Sequence, residues 1–520
     1  MKDLLVSSGE KPYYNLGEYG REIHTTSQEA RKWFNRGLVW CYLFNHEAAT
    51  QCFETAAAHD PNCAMAYWGI AFALGPNYNK SWRMFTSVDR QNSLRKILSA
   101  LARAEKVQAD VSPIERALIS ALATRFLRSS VAIPEDLSRF DYAYAEAMRS
   151  VYEAYGEDLD ITTLFADAVM CTRPRQLWNL NTGKTTGADI DEARIALEKG
   201  LAQVEGRNHP GLCHLYIHMM EMSPFPELAL NAADNLRRLV PDGSHMQHMA
   251  THIDTACGDY RRSVDSNFDA IRADDKSADA LYAARRLPEV LSLEFMSIKT
   301  PRMVDWTEWQ LVTLPHALIR FGQWEKILQL RLPANRDLLS VMTATVHYAQ
   351  GIAFAVLGRI TEACHARDAF EDARKAVPDN PMLEGELEYR KGNHSKAFSI
   401  LRHAINLEDN LAYADPPLWM QPVRHAFSAL LLEQGYSEEA EKLYLEDLGL
   451  SDSHPRRKAR INNVWGLHGL YESFMRNGKE EKAKSIRIQR DIAMAASDVP
   501  IKASCFCRLS AIKRDYDCHS

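Results

Sequence analysis

Apolar residues recur at three- and four-residue spacing through most of this chain, the signature of α-helices buried along one side. The pattern predicts helices over 27–45 and 46–60, then over Cys63–Leu74, where Gly75-Pro76-Asn77-Tyr78-Asn79 supplies a strong stop. It resumes over 87–108, 113–128, 141–155 and 159–171, and Thr172–Ile190, rich in Arg, Pro, Asn and Gly, reads as a loop. Further helical patterns cover 259–274, 281–294, 306–321, 324–330, 347–357 and 361–376. Later turns fall on Gly392, Gly435 and Gly478, each followed five residues on by Ala397, Ala440 or Ala483. No stretch alternates long enough for a useful strand, and no low-complexity linker marks an internal boundary.

The spacing within the first helical pair is more specific. Trp33, Gly37, Trp40, Ala49, Phe53, Ala56 and Pro61 occupy the positions of the tetratricopeptide (TPR) signature, with Arg36 where its leucine stands. Small residues let paired helices approach, aromatics fill the gap, and the proline stops the second helix. The expected fold is therefore an all-α, TPR-like helical-hairpin solenoid, a right-handed superhelix with a concave groove. Its parts are a lead segment over 1–26, the solenoid over 27–498 and a tail over 499–520. The glycine turns near the C-terminus are 43 residues apart, longer than a standard repeat.

Composition narrows the class. Apolar residues at 46%, charged residues at 25% and a net charge of −6 describe an ordinary soluble chain and argue against a nucleic-acid partner. The compact basic run Arg456-Arg457-Lys458-Ala459-Arg460 reads as a solvated turn. No stretch approaches the ~20 apolar residues of a membrane span, and the N-terminus lacks the apolar core of a signal peptide. Ten scattered cysteines, including Cys505 and Cys507 in the tail, read as reduced, so a cytoplasmic protein is expected. Thr182-Gly183-Lys184-Thr185 lacks the earlier glycine of a phosphate loop, Trp178 standing in its place.

Candidate chemistry concentrates between His209 and His252, which hold six of the eighteen histidines. His214, His218 and Glu221 share one helical stripe, and His245, His248 and His252 share another. His214 and His248 are 34 residues apart, as are His218 and His252, the period of a TPR repeat. Equivalent positions of adjacent repeats lie side by side, so His214, His218, His248 and His252 are the expected ligands of a metal, with His245 completing or bridging the site. Glu221 is a further ligand or the general base. Imidazole with carboxylate suits zinc, iron or copper. The absence of a glutamate after the first histidine excludes the zinc-protease HExxH motif. The interleaved Met219, Met220, Met222, Met246 and Met249 read first as core packing. A second constellation, Glu384, Trp419 and Arg424, offers substrate-binding groups, although an Arg–carboxylate pair also braces repeats.

The phrases FNHEAATQCFETAAAHDPNCAMAYWGIAFALGPNYN, HPGLCHLYIHMMEMSPFPELALNAADNLRRLVPDGSHMQHMATHI, VHYAQGIAFAVLGR and YADPPLWMQPVRHAF resemble the large TPR-domain proteins of bacteria and filamentous fungi, some encoded in secondary-metabolite gene clusters. His214, His218, Glu221, His245, His248 and His252 all match that pattern. The family's further helix bearing His-Asn-x-His has no counterpart, since 281–306 contains no histidine. The resemblance implies a shared pocket, incomplete, open or inactive in this chain if the missing helix supplies ligands; the histidine pattern itself points to a metal-dependent enzyme acting on a small organic molecule, with secondary-metabolite biosynthesis as the setting the resemblance suggests. The other reading is a non-catalytic TPR scaffold holding a protein partner in the same groove. Bound metal separates the two.

Overall fold

The structure is a computed structural model. It describes residues 13–108, 111–126, 137–276, 324–357, 359–375, 391–411, 422–497 and 501–505, with isolated positions between. The chain divides into two compact units, Met1–Ala284 and Arg285–Ser520. Both are all-α and built from TPR-like antiparallel helical hairpins.

In the first unit α1 (Gln28–Tyr42) and α2 (His46–His59) form the opening hairpin, followed by α3 (Ala64–Leu74), α4 (Ser87–Val107) and α5 (Pro113–Ala123). Ser27, Asn45, Thr86 and Ser112 cap α1, α2, α4 and α5, each accepting from the backbone N–H three residues on. The signature residues act as expected. Phe53 is fully buried between Gly37 and Gly69, whose hypothetical Cβ atoms would lie 2.7 Å and 2.4 Å from its ring. Only glycine lets α1 and α3 approach α2 this closely. Trp68, Phe34, Leu38, Met65 and Ile97 complete this layer of core.

The unit continues with α6 (Ser138–Tyr155), α7 (Leu159–Met170), α8 (Ala188–Ala202), α9 (Pro210–Met220), α10 (Leu230–Leu239), α11 (Ser244–Cys257) and α12 (Tyr260–Lys276). The loop expected over 172–190 contains a small hairpin, Trp178–Asn179 paired antiparallel with Lys184–Thr185. The pattern did not separate α8 from its surroundings, because its buried positions Ile190, Ala193, Ala196, Leu197 and Gly200 are mostly small. The lead segment docks on this unit, with Leu16 and Ile23 buried and Arg21 paired to Asp158 and Asp160 at 2.7 Å.

The second unit contains α13 (Trp324–Leu328), α14 (Ser340–Val356), α15 (Ile360–Arg374), α16 (His394–Asp409), α17 (Val423–Glu433), α18 (Ser437–Asp447), α19 (Val464–Arg476) and α20 (Glu480–Ala495). Gly392, Gly435 and Gly478 sit at turns with φ of +85°, +84° and +68°, which explains glycine at each repeat corner. Phe427, Tyr444, Leu401, Leu430 and Leu470 anchor the core. From the tail, Ile501 and Ala503 are buried and Ser504 hydrogen-bonds Tyr444 and the carbonyl of His425. None of the described helices is long and apolar enough to cross a membrane.

Candidate metal centre

Local sequence sets up the first histidine helix. Pro210 opens α9 with a preset φ, and His209 caps it, its Nδ1 accepting from the backbone N–H of Leu212. His209 Nε2 meets Asp160 Oδ1 at 3.2 Å. Asp160 also accepts from the hydroxyls of Tyr19 and Tyr42 and pairs with Arg21, so α1, α7, α9 and the lead segment are tied at one buried carboxylate. On α9 itself His214 and His218 are both buried. The first turn of α11 brings His245, which is half-buried, against them.

One ring nitrogen from each of His214, His218 and His245 lies within 4.8 Å of the others. The Nε2 atoms of all three are buried and have no hydrogen-bond partner among the described residues. Their far sides are held. His214 Nδ1–H donates to the carbonyl of Tyr42, and His218 Nδ1–H donates to Glu221 Oε1 at 2.9 Å. A proton on Nδ1 leaves the lone pair on Nε2, the tautomer a metal requires. Burial, and then the neighbouring imidazoles, hold His214 and His245 well below the usual histidine range. Burial also lowers His218, although the Glu221 carboxylate opposes it. Burial would raise Glu221, but His252 and His218 outweigh it and keep this carboxyl well below its usual range. The cluster sets buried imidazoles, disfavoured in their protonated form, beside a carboxylate favoured in its ionised form, a donor set that suits a cation.

The structure changes the grouping expected from the 34-residue echo. His245 joins His214 and His218, whereas His248 and His252 form a separate pair with Nε2 atoms 3.2 Å apart. Repeat equivalence assumed that α9 and α11 present the same turns to each other. Instead the first turn of α11 reaches His214 and His218 through His245, and its third turn reaches Glu221 at the end of α9 through His252. Glu221 lies behind the triad and bridges it to the pair, accepting from His218 Nδ1 and, through its other oxygen, from His252 Nδ1. Met219, Met220, Met222, Met246 and Met249 are all buried.

Arg424 lies in the second unit. It is 3% exposed and paired with Asp409 at 2.7 Å and Glu446 at 3.3 Å, the bracing arrangement rather than an open substrate group. Trp419 and Glu384 lie outside the described residues. Seven described cysteines are free, but Cys505 is disulfide-bonded, which corrects the expectation of reduced cysteines throughout the tail.

Two aromatic walls of the centre escaped the sequence reading. Phe44 stands 4.6 Å from the ring of His214, 5.6 Å from His218 and 5.9 Å from His245. Its φ of +58° is unusual for a bulky residue and holds the ring over the cluster. Tyr78, from the turn after α3, packs 4.8 Å from His218 and is fully buried. Asn77 Oδ1 fixes that turn by accepting from the backbones of Asn79 and Lys80. From the sequence, Phe44 read as part of the first helical pattern and Tyr78 as part of the helix-stopping turn Gly75-Pro76-Asn77-Tyr78-Asn79.

No protein-family model and no curated protein matches the chain. Among solved structures, the human IFIT1 dimer with m7Gppp-AAAA is 12% identical over 83% of this chain and 90% of its own, with a TM-score of 0.28. The Cut9–Hcn1 hetero-tetramer of the APC/C is 10% identical over 93% and 76%, with a TM-score of 0.24. The TPR domain of P58(IPK) is 13% identical over 87% and 99%, with a TM-score of 0.21.

Proposed function

We propose that this chain is a TPR-fold metalloprotein whose His214, His218 and His245 hold one zinc, iron or copper ion, and that it is a metal-dependent enzyme acting on a small organic molecule. One observation carries the reading: three buried Nε2 atoms without hydrogen-bond partners among the described residues, two of them on imidazoles whose Nδ1 is committed to an acceptor. Three protein ligands leave a coordination position for water or substrate, as catalytic sites do and closed structural sites do not. A bound ion there would act as a Lewis acid or activate that water. Phe44 and Tyr78 would limit access and shape the space beside it. Secondary metabolism and a cytoplasmic setting are part of this proposal, the first supported by the family resemblance and the second by the free cysteines.

A scaffold reading has its own support. Val264, Phe268 and Ile271 are 48%, 58% and 53% exposed along one face of α12, an apolar stripe suited to a protein partner. Metal analysis of the purified, untagged full-length chain beside a His214→Ala/His245→Ala variant decides between them. The metalloprotein reading expects near-stoichiometric metal in the wild type and its loss in the variant. Neither protein retaining metal after loading with zinc, iron or copper would refute it.

A further inference from the structure

We infer that Asp160 is a positioning residue of the metal centre, one carboxylate that fixes both halves of the hydrogen bond orienting His214. This rests on the proposal that His214, His218 and His245 hold a metal. His214 Nδ1–H donates to the carbonyl of Tyr42, the last residue of α1. The last four carbonyls of a helix have no partner in its own ladder, so the direction of this one depends on what else holds Tyr42. Its hydroxyl donates to Asp160 Oδ1. The donor half is held at the same oxygen. His209 Nδ1 caps α9 by accepting from the backbone N–H of Leu212, so the ring proton is on Nε2 and is donated to Asp160 Oδ1 at 3.2 Å. His214 follows five residues later on that helix. Tyr42, Asp160, His209 and His214 therefore close a ring of contacts across α1, α7 and α9.

The carboxylate is itself firmly placed. Asp160 lies in the first turn of α7, where Asp158 caps the helix by accepting from the backbone N–H groups of Asp160 and Ile161. From the lead segment, Arg21 Nη1 donates to Asp158 Oδ1 and Asp160 Oδ2, both at 2.7 Å, and the Tyr19 hydroxyl donates to Asp160 Oδ1. Burial opposes charge on Asp160, but His209 and Arg21 outweigh it and hold this carboxyl well below its usual range. An ionised, buried acceptor with all its donors in place makes a stiff anchor.

The outer partner of a metal-bound histidine sets its ring orientation and its tautomer. For His214 that partner is a main-chain carbonyl, and the anchor of the carbonyl is a side chain on a third helix. The same anchor steadies the aromatic wall, because Phe44, two residues after Tyr42, carries its ring 4.6 Å from that of His214.

The test is cobalt(II) titration of the untagged, full-length chain, followed by absorption, with urea unfolding of each metal-free protein alongside. Tyr42→Phe removes only the hydroxyl and should bind cobalt about tenfold more weakly than the wild type, with a shifted spectrum. Asp160→Ala should lose more, and Asp160→Asn, which keeps an oxygen for Tyr42 and His209, should recover most of that loss. Tyr42→Phe keeps the inference testable if Asp160→Ala does not fold. Gly69→Ala overpacks Phe53 in the same unit and separates positioning from general loosening, since it should keep the wild-type affinity and spectrum. A folded Tyr42→Phe with wild-type affinity, or equal weakening in Gly69→Ala, overturns the inference while leaving the triad metal intact. No bound cobalt in any protein, the wild type included, overturns both readings.

Discussion

Glu221→Gln isolates the one carboxylate on which both histidine groups depend. Glu221 is 2% exposed, and its two oxygens accept from His218 Nδ1 and His252 Nδ1. Glutamine is nearly isosteric, so packing is preserved, but one of its two positions becomes an N–H donor facing an N–H donor. One imidazole must then move its proton to Nε2 and lose its metal-binding lone pair, or leave its Nδ1–H without a partner. Losing an outer-sphere partner of a metal-bound histidine typically costs 10–100-fold in affinity, about 1.4–2.7 kcal/mol. An unsatisfied buried donor costs a further ~1–3 kcal/mol of folding stability in the metal-free protein. Competition against a chromophoric chelator measures the first quantity, and urea unfolding in EDTA the second. Zinc affinity within twofold of wild type, with the variant folded, would refute the argument that Glu221 orients the ligands.

Three other expectations test separate parts of the structure. His214 and His218 fold with lowered pKa values because of burial, so the unfolded chain takes up more protons than the folded one below about pH 6.5. Metal-free stability should be full above that pH and fall below it, with His245 contributing in the same direction and Glu221, whose pKa is depressed, adding further loss below about 4.5; flat urea midpoints between pH 7.5 and 5.5 would contradict this. Gly69→Ala places a Cβ 2.4 Å from the ring of Phe53 and should cost about 1–3 kcal/mol, read by urea denaturation. Arg424→Ala strips the partner from Asp409 and Glu446 and should destabilise the protein by about 3 kcal/mol without changing metal content, whereas a substrate-binding role predicts the reverse, unchanged unfolding and impaired ligand binding.

The sequence by itself marked most of the described helices, though not α8, and the histidine-rich segment; the helices expected over 281–294 and 306–321 lie largely outside the described residues. Helical periodicity, caps such as Ser27 and Ser112, and glycines such as Gly37 and Gly435 act through neighbours a few residues away or through the repeat spacing, and both are written in the linear order. It also placed His214, His218 and Glu221 on one face, because an α-helix fixes that relation. Tertiary structure alone decided which histidines converge. The packing of α11 on α9 brings in His245 rather than the repeat-equivalent His248. The carbonyl that orients His214 belongs to Tyr42, 172 residues earlier, and the aromatic walls come from Phe44 and Tyr78 in turns of unrelated hairpins. Periodicity reports what each helix buries. It carries no record of the angle at which two helices meet, and a metal centre depends on that angle to within about an ångström.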